Sequence, residues 1–242
     1  MRLRVVIFCL IILIFFMLNS CATTVTNLTD VRWSFIRIGA NTEAKKCFPA
    51  ATKDDKERCV YEEDNGSASG VVVKEDKKGT YILTAGHVCD KKRKYISRQF
   101  GKMDSVKVNF TAYTWRGLYH PLKIYKIDLD HDICILLAKK RLGIPIVKVR
   151  TYGPSYAEKV WNFAAPLGIS DTSYLPVFEG RYVGFDIEND IYQIPGISGS
   201  SGSPVVDSDA RLVGMIITVV TAFPFITFSP EHHTLKAFVE EL

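Results

Sequence analysis

A serine set among glycines is the first feature of this chain that could do chemistry. In the stretch Gly196-Ile197-Ser198-Gly199-Ser200-Ser201-Gly202-Ser203-Pro204, which runs into an apolar segment, Ser201 reads as a nucleophile. A serine hydroxyl attacks a carbonyl only where its backbone projects Oγ outward while nearby N–H groups face the oxygen that becomes negative. Gly199 and Gly202 permit the tight turn and the close approach, and the N–H groups of Gly199 and Ser201 are then the expected oxyanion donors. Taken alone, the stretch reads equally well as a Gly/Ser-rich surface turn.

Two further stretches supply the partners such a serine needs. Tyr81-Ile82-Leu83-Thr84-Ala85-Gly86-His87-Val88 is an apolar strand ending at a histidine, and Asp130-His131-Asp132-Ile133-Cys134-Ile135-Leu136-Leu137 brings acids into another apolar strand. Each by itself is ordinary: a strand-end histidine is usually structural, and an aspartate before a strand is usually a turn residue. Together with Ser201 they form a set, in which His87 takes the serine proton and Asp132 holds the imidazole tautomer and stabilises the imidazolium. Asp130 lies two residues too early for that position. The order His, Asp, Ser is that of the chymotrypsin type, not of subtilisins or α/β-hydrolases.

The blocks Thr84-Ala85-Gly86-His87, Asp132-Ile133-Cys134-Ile135-Leu136 and Gly199-Ser200-Ser201-Gly202-Ser203-Pro204 resemble the three signature blocks of the trypsin-like serine peptidases. Ser67-Ala68-Ser69-Gly70-Val71-Val72-Val73 is similar to a hairpin of the bacterial branch that includes HtrA/Deg-like and glutamyl-endopeptidase-like enzymes. The resemblance runs from about Val31 to Leu242. It departs from the common pattern at Ser200, where Asp or Asn is usual, and at Ser203, where Gly is commoner. It implies a serine endopeptidase acting on proteins or peptides through an acyl-enzyme, without a cofactor. A catalytically silent binding protein on the same fold is the rival reading, and an esterase a third. No stretch is left for the PDZ module that HtrA-like proteins usually carry.

The same resemblance puts the primary specificity pocket between the residues before the nucleophile and the strand after it, with Pro195, Ile197, Ile217 and Val219 as its walls. Neither wall contains an acid or a histidine. An Arg, Lys or Glu side chain would find no counter-charge there, so cleavage after small or medium aliphatic residues is expected.

These residues must be held by elements, and the pattern around them is β-rich. Short apolar runs separated by Gly, Asp and Lys turns recur through both halves, and no long amphipathic helices lie between them as a parallel α/β fold would need. The expected fold is all-β, two antiparallel six-stranded β-barrels with a C-terminal helix. The N-barrel spans about 31–147, the C-barrel about 148–228, and the helix 230–242. Val31 to Ile38 alternates as a half-buried strand should, Asn41 to Asn65 reads as a charged inserted loop, and Ser229-Pro230-Glu231 reads as a helix start. His232 and His233 are expected to be exposed polar residues, not metal ligands.

The chain has 242 residues, 47% hydrophobic and 24% charged, enough to bury a core. Arg2 and Arg4 account for two of the formal +5 charges, leaving +3 after Cys21, too little to argue for nucleic acid. Lys91-Lys92-Arg93-Lys94 reads as a solvated loop face. Residues 1–20, with a basic start and an apolar run from Val5 to Leu18, read as an export leader. Leu18-Asn19-Ser20-Cys21 looks like a lipobox, so Cys21 is the expected lipidation site and 21–30 a tether to a bacterial envelope membrane. Ordinary cleavage after Ala22 and a retained anchor are the alternatives.

Export permits disulfides. Cys47 and Cys59 could pin the 41–65 segment. Cys89 lies two residues beyond His87 and Cys134 two beyond Asp132, so a close His/Asp pair would make these cysteines neighbours as well. A Cys89–Cys134 bridge is expected, with two free buried thiols as the alternative. Metal binding by Cys47 and Cys59 is not expected, since no histidine stands beside them and no Cys-x-x-Cys occurs.

Overall fold

The computed structural model describes residues 23–48, 58–90 and 104–242. The leader, Cys21 and the basic run 91–94 lie outside them. The first half is a closed antiparallel barrel of β1 (Phe35–Phe48), β2 (Arg58–Asp76), β3 (Gly79–Ala85), β4 (Ser105–Tyr113), β5 (Tyr119–Asp128) and β6 (Ile133–Ala138), in the order β1-β2-β3-β6-β5-β4. Alternation along a strand sends successive side chains to opposite faces. Ile36, Ile38, Val72, Ile82 and Leu136 accordingly fill the barrel, while Phe35, Val71, Leu83, Ile133 and Ile135 face the other half. Every residue of β3 and β6 is buried, which is why both read as unbroken apolar runs.

The second half is a single seven-stranded sheet made of β7 (Lys159–Phe163), β8 (Val177–Phe185), β9 (Asn189–Gln193), β10 (Pro204–Val206), β11 (Leu212–Met215), β12 (Thr218–Val219) and β13 (Ile226–Pro230). Its order, β11-β10-β7-β8-β9-β13-β12, differs from the expected closed six-stranded barrel. The edge strands β11 and β12 are nonetheless consecutive in the chain, so the sheet must roll. Ile216 and Ile217 join the edges through bonds from Ile216 N–H to Ser203 O and from Ile217 N–H to Phe228 O.

Five local expectations are corrected. Residues 28–34 form a helix, α1 (Leu28–Ser34), and the strand begins only at Phe35. The segment before it is docked instead of loose, since Val25 is buried and its N–H donates to Ile146 O. The charged 41–65 segment is largely strand: β1 pairs with β2 out to Phe48↔Arg58 and with β4 from Arg37 to Lys45. Thr42 and Ala44 face inward there while charged neighbours face water.

At the C-terminus, β13 extends through Ser229 and Pro230. The helix (His232–Glu240) follows the one-turn α2 (Gly86–Cys89) in chain order and is therefore α3; its N-cap is Glu231. Ser229 Oγ does not cap it but accepts from Met215 N–H at 3.0 Å. His232 is buried and its N–H donates to Asp190, whereas His233 is exposed. Leu235 and Phe238 bury the helix face in the layer between the two halves.

Candidate active site

The pairing of β3 with β6 brings His87 and Asp132 together. Its register runs Thr84↔Cys134, then Ala85↔Ile133, and Gly86 N–H extends the ladder by one bond, 2.8 Å to Asp132 O. At that point β3 turns into α2, which swings the imidazole over the carboxylate. His87 Nδ1 lies 2.8 Å from Asp132 Oδ2, and the His87 backbone N–H donates to Oδ1. Asp132 thus uses one oxygen to fix the ring and the other to fix its backbone. It does so with φ at 55°, a left-handed conformation that aspartate tolerates better than most residues. Cys89 and Cys134 form a disulfide just beyond the pair, and Cys47 and Cys59, directly opposed across β1 and β2, form the other.

Ser201 reaches the same place from the second half. A cleft of about 510 Å³ is lined by His87, Asp132, Ser198, Gly199 and Ser201 together. Both His87 and Ser201 are accessible from solvent. No hydrogen bond joins Ser201 Oγ to the imidazole among the described residues, a link that often tightens only when substrate is bound.

Around the serine the backbone is fixed by bonds the sequence did not reveal. Ser198 O accepts from Leu167 N–H at 2.7 Å, and Ser200 O accepts from Ser203 N–H at 2.9 Å. In a planar trans peptide the N–H points opposite to the C=O. The N–H groups of Gly199 and Ser201 are therefore turned away from those two acceptors, and neither has an acceptor of its own among the described residues. Gly199 and Gly202 have φ of 94° and 84°. At Gly202 a side chain would also collide with Ser69 O and Thr84 Oγ1, each 2.2 Å from a built β-carbon.

Ser69 is the residue that sequence reasoning left without a role. Fully buried on β2, it donates through Oγ to Gly199 O at 2.8 Å and accepts from Ala165 N–H at 3.0 Å, while its own N–H donates to Ser201 O at 2.9 Å. The first barrel thereby clamps the serine loop of the second half. Leu167, in a left-handed conformation at φ 53°, completes the clamp. The Ser69 partners Ala165 and Gly199 lie 96 and 130 residues away in sequence.

Beside the serine, a smaller pocket of about 320 Å³ is bounded by Ile197, Ser198, Ile216, Ile217, Thr218 and Val219. Three of the four expected wall residues line it; Pro195 does not. Among the described residues no group of three His, Cys, Asp or Glu side chains is placed to hold a metal.

The profile of the trypsin-like peptidase domain matches residues 68–215, which include His87, Asp132 and Ser201. The chain belongs to the trypsin-like peptidase domain family. No curated protein sequence matches it. Among solved structures, this trypsin-like chain is similar to the crystal structure of the serine endoprotease from Yersinia pestis, with a TM-score of 0.62 and 15% identity. The match covers 88% of this chain and 64% of that one, and at such identity it is a likeness of fold. The mostly β architecture with its C-terminal helix agrees with membership of the family.

Proposed function

We propose that this trypsin-like chain is a serine endopeptidase with Ser201 as nucleophile, His87 as general base and Asp132 as the group that orients and stabilises the imidazole. The observation that carries the reading is the formed His87–Asp132 hydrogen bond in the cleft that Ser201 also lines. With Nδ1 committed to Asp132, Nε2 is the nitrogen left to take the Ser201 proton as Oγ bonds to the substrate carbonyl carbon. The oxygen that becomes negative is received by the N–H groups of Gly199 and Ser201. His87 then passes its proton to the amine nitrogen, the C–N bond breaks, and an acyl group remains on Ser201. Water, deprotonated by the same imidazole, attacks that ester and releases the acid. No step calls on a cofactor.

A fluorophosphonate probe tests this directly, because it reacts only with an activated serine. The folded chain should be labelled, and Ser201→Ala and His87→Ala should each abolish labelling. An unlabelled but folded wild-type chain would favour the silent binding protein instead. Export and lipid attachment through Cys21 are part of the proposal, supported by the leader and by two disulfides of a kind that oxidising compartments allow. Incorporation of labelled palmitate that persists in Cys21→Ser would overturn the anchor.

A further inference from the structure

We propose a second ligand site in this protein, a cavity on the flank of α1 that takes an apolar molecule bearing one carboxylate. The cavity measures about 520 Å³ and lies between α1, the turn joining β4 to β5, and the 170–177 segment. That volume falls within the range of small-molecule sites. None of its lining residues borders the His87–Ser201 cleft or the neighbouring pocket.

Its lining is aromatic and carries two arginines. Trp33, Trp115 and Trp161, the only tryptophans of the chain, all border it, and the rings of Trp33 and Trp115 are 4.3 Å apart. The Arg32 guanidinium stacks 3.6 Å from the Trp33 ring centre, and that of Arg37 4.1 Å from the Tyr113 ring centre. Among the described residues neither arginine is paired with a carboxylate. Stacking occupies the faces of a guanidinium and leaves its N–H edges free, the edges that match a carboxylate. The Trp115 indole N–H adds a donor that is buried without an acceptor.

Such a wall offers charged donors over a large apolar surface. The acid that borders it, Asp171, already accepts from Thr172 N–H, and its negative charge disfavours a doubly charged phosphate. A monoanion with an aromatic or aliphatic body fits best.

The tryptophans make the test independent of catalysis. Full-length Ser201→Ala protein would be titrated with 3-phenylpropionate and with decanoate, representing the two bodies, while intrinsic fluorescence is followed. A saturable change with either acid is expected, and the one that binds tells which body the site takes. The neutral amides of both acids, and the acids against an Arg32→Gln/Arg37→Gln double variant of native circular dichroism, should bind about tenfold more weakly or worse, the loss of a charge-assisted hydrogen bond. No saturable response to either acid, or equal binding of acid and amide, would overturn the proposal. So would a fluorescence change that tracks protein concentration together with faster sedimentation, since a second copy would then occupy the cavity. Because Ser201 is absent from the test, failure of the peptidase reading would leave this result untouched.

Discussion

Gly86 and Asp132 meet so closely that a β-carbon on residue 86 would stand 2.9 Å from the Asp132 carbonyl carbon and 3.0 Å from its Oδ1. This contact lets two successive N–H groups, those of Gly86 and His87, reach Asp132. Gly86→Ala must therefore push the aspartate away from the imidazole. Overpacking of this kind costs about 1–3 kcal/mol of stability, which a closed barrel tolerates, but a displacement near 1 Å at the reacting groups costs about 10²-fold in rate. The expected outcome is a folded Gly86→Ala protein with kcat reduced by that order and KM little changed. Wild-type kcat would show that the contact does not position Asp132.

A second His–Asp pair sits nearby and offers an internal control. His131 Nδ1 is 2.7 Å from Asp128 Oδ2, with chemistry like that of the proposed catalytic pair. Burial works against the Asp128 carboxylate, yet hydrogen bonds from the His131 side chain and backbone hold its pKa below the ordinary carboxylate value. Neither Asp128 nor His131 borders the serine cleft. Asp132→Asn should lower kcat by about 10⁴-fold, the effect of leaving the imidazole in the wrong tautomer. Asp128→Asn and Asp130→Asn should leave turnover nearly unchanged. The reverse ranking would move the orienting role to Asp128 or Asp130.

What could be read from the residues was whatever is carried by a short segment or by a chemical demand between segments. Strands β3 and β6 are buried on both faces, so their apolar runs were unmistakable. The Cys89–Cys134 bridge followed from requiring His87 and Asp132 to be neighbours. Alternation at Val31, Trp33 and Phe35 suited a strand, but Val31 and Phe35 are also spaced four apart, the helical repeat, and packing between the halves took up that second option for residues 28–34. The charge of 41–65 hid a strand whose inward positions, Thr42 and Ala44, are small or polar. Ser69 could not be joined to Ala165, Gly199 and Ser201 in advance, because those bonds cross between the two halves; like the Leu167–Ser198 bond within the second half, they depend on backbone directions that no residue type encodes.

Stability should depend on pH through His232. Burial lowers its pKa, the nearby positive charges of Arg150, Lys236 and His233 lower it further, and only a hydrogen bond with the Arg150 backbone opposes them. Asp190, which accepts the His232 N–H, is itself pushed upward by burial. The folded pKa thus lies below the ordinary value of 6.5. As pH falls past that value the unfolded chain takes up a proton that the folded chain refuses, so stability drops until the folded pKa is passed. Urea unfolding compared at about pH 7.5 and about pH 5.5 should show lower stability in acid, and His232→Gln should flatten that part of the difference. An unaltered slope in the variant would remove His232 as its source.

Specificity should follow from the two walls beside Ser201. A β-carbon on Gly196 would lie 3.6 Å from Val219 Cβ, so the segment before the serine and the strand after it come together at this level and close the pocket. Apart from the His87–Asp132 pair at its mouth, the lining is Ile197, Ser198, Ser200, Ser201, Ile216, Ile217 and Thr218, which bring no charge. A buried Arg, Lys or Glu side chain would go unpaired, at a cost far above what its aliphatic stem returns. Peptide-library digestion by the wild-type chain should therefore cut after Ala, Val or Leu, and dominant cleavage after Arg, Lys or Glu would overturn this assignment. Val219→Gly removes the side chain that closes the pocket and should raise kcat/KM for a Phe or Tyr peptide relative to the Ala peptide by about tenfold, the scale of a few methylenes admitted to an apolar site. An unchanged ranking of substrates in that variant would show that Val219 does not set the pocket's depth.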